Sequence, residues 1–102
     1  MELSILDRLM IQSIIPSRGK IEDMIMRADI LEKIKITQEE VEKFNIEENE
    51  KGVKWDKSGD EHKIEVEFTE LEKMLLVSNL KKASDNQDLP AAAIGVYKKF
   101  VM

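Results

Sequence analysis

The hydrophobic period of this 102-residue chain changes twice, and no other feature limits the fold as much. Up to Phe44 the apolar residues recur three and four apart, the spacing of a helix. From Val53 to Phe68 they alternate with polar ones: Val53 and Trp55 around Lys54, then Ile64, Val66 and Phe68 among Lys63, Glu65 and Glu67. After Thr69 the helical spacing returns. A period of two lays every second side chain on one face of a strand, and a helical pattern cannot occupy that geometry. The chain therefore has to combine helices with a little sheet, an α+β fold. The polar stretch 56–61, with Gly59 inside it, reads as a turn between the two alternating runs. This predicts one two-stranded antiparallel hairpin over residues 53–68, with about five helices packed around it. An isolated hairpin is marginal in water, so helices have to cover its apolar face.

The helices announce themselves by their ends. Leu3, Leu6, Leu9, Met10 and Ile14 predict an amphipathic helix over 2–15, stopped by Pro16 because proline disfavours helical geometry in the residue before it. Ile21, Met24, Ile25, Ala28 and Leu31 predict a second over 20–35, and Met26, Ile30 and Ile34 carry its apolar surface round the side. Thr37-Gln38-Glu39-Glu40 has the form of a capping box, in which threonine and glutamate satisfy each other's backbone amides. The helix it opens should run to about Phe44, with Val41 and Phe44 inward and Asn45 as a left-handed terminator. Residues 47–52 read as a polar turn. Thr69-Glu70-Leu71-Glu72 is a second capping box, opening a helix to about Ala83 that bears Leu71, Met74, Leu75, Val77 and Leu80. Leu89-Pro90 opens the last helix, with Ile94, Tyr97, Phe100 and Val101 inward.

Composition removes whole classes of chemistry. With no cysteine, disulfides, thiolate metal sites and thiol catalysis are excluded, and one histidine excludes any site needing two imidazoles from one chain. At 42% hydrophobic and 36% charged residues the chain is globular, and its length suits a single domain over 1–102. Asp7 and Arg8 interrupt the first apolar stretch, unlike a signal peptide, and no run approaches the roughly 18 apolar residues of a membrane span. The expectation is a cytoplasmic protein that does not associate with membranes. The net charge of −5 is an average over unlike parts. Residues 1–36 carry six acids and six bases, 37–72 thirteen acids and five bases, and 73–102 two acids and five bases.

The order of features is more distinctive than any one of them. A Leu/Ile-rich helix ends in Ile15-Pro16 and a glycine, and a Thr-x-x-Glu helix ends in Phe44-Asn45-Ile46. Val53-Lys54-Trp55 follows, then the acidic run Ile64-Glu65-Val66-Glu67-Phe68-Thr69-Glu70 and a closing Tyr97-Lys98-Lys99-Phe100-Val101. Over most of its length the chain thus resembles a family of small uncharacterised proteins encoded by bacteriophages and prophages. The resemblance implies a phage origin and a location in the host cytoplasm. It implies no activity and carries no catalytic residue to this chain.

Three arrangements invite a test as sites of chemistry. Asp56, Ser58 and Asp60 fall at positions 1, 3 and 5 of a calcium-binding loop with Glu67 at position 12, but position 6, which needs glycine, holds Glu61. A polar turn accounts for the same residues. His62 could serve as a base or a metal ligand, yet a lone histidine beside Asp60 and Glu61 reads as an exposed residue at a strand entrance. Paired glutamates at 39–40, 47–48 and 65/67 lack the enclosed, contrasting environments that separate the pKa values of a catalytic pair. No nucleophile elbow, phosphate loop or metalloprotease helix occurs. The chain reads as a protein that is not an enzyme and uses no cofactor.

Binding by surface contact is left. The over-wide apolar face of the second helix makes Met24, Met26, Ile30 and Ile34 a candidate interface to a protein partner or to a second copy, methionine being suited to adaptable contacts. Glu47, Glu48 and Glu50 form a candidate acidic surface, through which the segment 37–72 could act as an inhibitor of a basic host factor. Lys81, Lys82, Lys98 and Lys99 form a candidate basic surface, the basis of an alternative reading as a small nucleic-acid-associated regulator. The negative net charge argues against that alternative. So do the five aromatics, Phe44, Trp55, Phe68, Tyr97 and Phe100, which all lie in apolar patterns suited to a core.

Overall fold

A computed structural model describes residues 1–102. The α+β class holds: five α-helices and four three-residue strands form two separate two-stranded antiparallel sheets. In chain order these are β1 (Glu2–Ser4), α1 (Ile5–Ile14), α2 (Ile21–Ile34), α3 (Gln38–Phe44), β2 (Glu47–Asn49), β3 (Gly52–Lys54), β4 (Lys63–Glu65), α4 (Glu70–Asp85) and α5 (Ile94–Phe100). Single 3-10 turns occur at Lys57–Gly59 and Ala91–Ala93.

The single hairpin expected over 53–68 does not form. Its two halves pair elsewhere: β3 with β2 in register Glu48↔Val53, and β4 with β1 in register Leu3↔Ile64. The turn between them is the reason. Residues 57–59 coil into a 3-10 turn that buries Gly59, instead of reversing the chain tightly. The polar segment 47–52 supplies the real hairpin, closed by Gly52 at φ 126, a conformation only glycine adopts without strain. At the other end the helix expected from residue 2 begins at Ile5, because residues 2–4 are drawn out as the partner of β4.

The period-two reading of 64–68 remains correct about sides. Val66 and Phe68 are buried and Ile64 packs against them, while Glu65 and Glu67 face water. They join Leu3, Ile11, Ile15, Ile30, Ile34, Leu76, Leu80 and Val96 in one core cluster, to which β1, α1, α2, α4 and α5 all contribute. In α4 the core residues are Leu76 and Leu80, whereas Leu71 and Met74 point outward, each 64% exposed. In α5 it is Val96, not Ile94, that is buried.

The expected caps are all present. Thr37 and Thr69 cap α3 and α4 with Glu40 and Glu72 reaching back, and Asn45 ends α3 at φ 52. A third capping box, Ser4 with Asp7, opens α1. No helix is long and apolar enough to cross a membrane.

Candidate functional site

The most buried charges meet where α1, α2 and α3 converge. Arg8 lies one turn into α1, on the side of Ile11 and Ile15, and is 1% exposed. Its Nε donates to the Ile34 carbonyl at 3.0 Å and its Nη2 to that of Lys35 at 2.7 Å. Those are the last carbonyls of α2, which have no partner within the helix. The guanidinium also grips both oxygens of Glu40, Nη1 to Oε2 at 2.6 Å and Nη2 to Oε1 at 2.8 Å, the bidentate geometry that suits arginine and carboxylate. Glu40 Oε1 accepts from the Thr37 amide at 3.0 Å as well. The hydrogen bonds from Arg8 hold the Glu40 carboxyl far below the usual carboxylate range against the opposing effect of burial, with Thr37 and His62 adding to them. A carboxylate so held only accepts, so His62 Nε2 donates to Glu40 Oε2 at 2.8 Å. The imidazole also packs on the Phe44 ring, centroids 4.7 Å apart. His62 is thus half-buried and committed to structure, where the sequence suggested an exposed strand residue.

This triad has the residue types of a catalytic site but not its state. A general base needs a pKa near the working pH and a free proton position. Here the carboxylate is locked ionised, and four of the five arginine N–H groups are spent on the ends of two helices. The arrangement fastens α1 to α2 and α3. A parallel joint lies at the start of α4, where Glu72 accepts from Lys33 of α2 at 2.5 Å and from the Thr69 amide at 2.8 Å. Burial raises the Glu72 pKa, but Lys33 and Thr69 outweigh it and the net direction is down.

A second feature faces solvent. Between α1 and the β2–β3 hairpin lies an apolar groove of about 470 Å³, lined by Leu6, Leu9, Met10, Val53 and Trp55 with the polar Gln12, Ser13 and Glu48. A second pocket of about 460 Å³ lies beside it against α3, lined by Ile36, Val41 and Ile46. Leu9, Gln12, Glu48 and Val53 border both pockets. Trp55 is steadied by its Nε1 donating to Asp60 Oδ1 at 2.8 Å. The groove exists because α1 is apolar on two sides. Ile11 and Ile15 face the core, and Leu6, Leu9 and Met10 face a hairpin too short to cover them.

The structure redistributes the residues singled out from sequence. Of the candidate interface, Ile30 and Ile34 are fully buried in the core and cannot reach a partner, while Met24 and Met26 are half-buried. The apolar residues that α2 does expose are Ile21 and Ile25, 69% and 57% exposed, the reverse of the face expected. Glu47, Glu48 and Glu50 are all exposed; Glu47 lies 3.6 Å from Lys54 across the hairpin, and Glu48 borders the groove. Lys81, Lys82 and Lys98 are exposed, but Lys99 is not a free surface cation. Its Nζ donates to Asp7 at 2.6 Å and to the Glu2 carbonyl at 2.8 Å, tying α5 to the start of α1. The loop tested for calcium spends its acids locally: Asp56 accepts from the Asn45 side chain at 2.7 Å, and Asp60 from Trp55.

The sequence reading missed the groove. Its signal lay in residues 3–15, where Leu3, Ile5, Leu6, Leu9, Met10, Ile11, Ile14 and Ile15 make more apolar surface than one helix can bury on one side. Compared with family models, with curated proteins and with solved structures, the chain matches none of them.

Proposed function

We propose that this protein is a protein-interaction module that receives a partner segment in the groove between α1 and the β2–β3 hairpin. The observation that carries this reading is the pair of adjoining surface pockets that share Leu9 and Val53, in which Leu6, Val41 and Trp55 offer further apolar contacts. Concave, largely apolar surfaces with a few placed polar groups are where proteins take up segments of other proteins. Here Gln12 and Glu48 are the polar groups common to both pockets. The reading includes a phage- or prophage-type origin and action in the host cytoplasm, supported by the order of sequence motifs and the lack of cysteine. It also has the chain act by contact and not by catalysis, in keeping with a triad whose Arg8 and Glu40 are bound to each other and to helix ends.

A photo-crosslinking residue placed at Gln12 in the cell tests the proposal. The expected result is a discrete cross-linked species heavier than 11.8 kDa. It should vanish on Leu9→Glu and persist on Met74→Glu, a change remote from the groove. No discrete species, or one that survives Leu9→Glu, would overturn the reading.

A further inference from the structure

The two edges of the β2–β3 hairpin are unlike. Asn49 and Gly52 close its two-residue turn and exchange hydrogen bonds, as do Glu47 and Lys54, so the N–H and C=O groups of Glu48 and Val53 point away from the hairpin. On the β2 edge the next outward N–H, that of Ile46, is taken by the Val41 carbonyl at 3.0 Å. On the β3 edge the same alternation turns out the groups of Val53 and Trp55. None of those four is bonded within the chain: β3 pairs with β2 alone, and no turn, cap or side-chain hydrogen bond reaches them. This open edge runs along the first of the two pockets, which Gly52, Val53 and Trp55 line while β2 supplies only Glu48. Leu6, Met10 and Ser13 line that pocket and not the second. They lie four and three residues apart on one stripe of α1, a shelf on β3's side of the hairpin. Glu48 is the one charged residue lining this pocket, and it is in no ion pair. Glu47 and Lys54 occupy the other face of the hairpin, 3.6 Å from each other, and Glu50 and Lys51 form its turn.

We propose that the segment received in the groove, as the reading above has it, is an extended stretch of another protein that adds to β3 as a third strand. It is apolar at alternate positions, with one lysine or arginine among the side chains it turns inward. Its backbone bonds to the N–H and C=O groups of Val53 and Trp55. The side chains at those bonded positions stand on the same face as Val53, over Leu6 and Met10. The inward cation meets Glu48. Water leaves the edge when the pocket fills, so the occupant has to satisfy the backbone groups that it covers. A helix spends its own backbone groups internally and would leave them unpaired. A β3 strand from a second copy would bring its own α1 beneath it, and so no free apolar face. Strand addition is the mode in which backbone bonds give affinity and alternate side chains give specificity.

A displayed library of random linear peptides, selected on the full chain and counter-selected on Leu9→Glu, supplies the probe. The selected peptides should show apolar residues two apart with a lysine or arginine among them. N-methylation of every second peptide nitrogen should weaken binding at least about tenfold, and methylation of the intervening ones should leave it within about twofold. Binding should slow amide hydrogen exchange at Val53 and Trp55. Glu48→Gln should weaken it severalfold, more at low salt than at high. Peptides that need Leu9 but carry apolar residues three and four apart, or that ignore N-methylation, would overturn strand addition and leave the groove standing. Selection of no peptide that depends on Leu9 would overturn both. Exchange at Val53 and Trp55 that slows as the concentration of the chain alone is raised would make a second copy the occupant, and would overturn the proposal.

Discussion

A methyl group added at Gly59 would sit 2.9 Å from Trp55 Cδ1, 3.1 Å from Ile5 Cδ1 and 3.3 Å from Phe44 Cβ. The last of these is a side-chain atom held directly on the backbone of α3, so no change of rotamer moves it aside. Gly59→Ala should therefore destabilise the fold by about 1–3 kcal/mol through overpacking, read from the urea midpoint, and shift the emission of Trp55, the one tryptophan. An unchanged midpoint and spectrum would show that the turn relaxes freely. Arg8 and Glu40 pose the opposite case, in which removal is harmful because of what stays behind. Glu40→Leu leaves the Arg8 charge buried without a counter-ion, at a cost of about 3–5 kcal/mol. Arg8→Met together with Glu40→Leu removes both charges and should cost less than either single change. A double-mutant cycle by urea unfolding checks this. A double variant as unstable as the sum of the singles would mean that the two residues do not act as a pair.

Three helices are docked by the same device at the scale of elements. In each capping box the acid at the third helical position also takes a cation from a distant element: Asp7 of α1 takes Lys99 of α5, Glu40 of α3 takes Arg8 of α1, and Glu72 of α4 takes Lys33 of α2. Thr69→Ala removes only the local half of one box and should cost about 1 kcal/mol, with Thr69→Ser near wild type, both measured by thermal unfolding. A loss much above 2 kcal/mol would mean that Thr69 also sets the position of Glu72 for Lys33. The caps were legible because a capping box is complete within four residues, and Asn45 was legible for the same reason. The Ser4–Asp7 box escaped notice because Leu3 continues the apolar spacing of α1 and hides the helix start. Strand pairing was not legible: Leu3 and Ile64 carry no local mark of each other, and nothing in 53–68 distinguishes a hairpin from two half-pairs. The groove was half legible, as excess apolar surface on α1. Which side stays open depends on the length of β2 and β3.

At the scale of the whole molecule these joints make stability depend on acid in a defined direction. The carboxyls of Glu40 and Glu72 both lose their protons more readily in the folded chain than at the ordinary value of 4.5. The native state then binds fewer protons than the unfolded chain in acid, so stability rises with pH there. Their contribution is complete above about pH 5, where both states are ionised, and drains away as the pH falls below 4.5 and the unfolded chain takes up protons first. Glu40, held far below that value, contributes a slope approaching about 1.4 kcal/mol per pH unit there, and Glu72 adds to it in the same direction. Urea unfolding should therefore give a nearly flat midpoint from pH 7 to 5 and a decline that steepens as the pH falls below 4.5. Glu72→Gln removes one of the two groups, so its decline should be less steep, whatever its stability at neutral pH. A wild-type midpoint that stays flat down to pH 3 would mean that the two carboxylates are not held by their cations. The docking of α3 on α1 and of α4 on α2 would then rest on contacts other than these ion pairs.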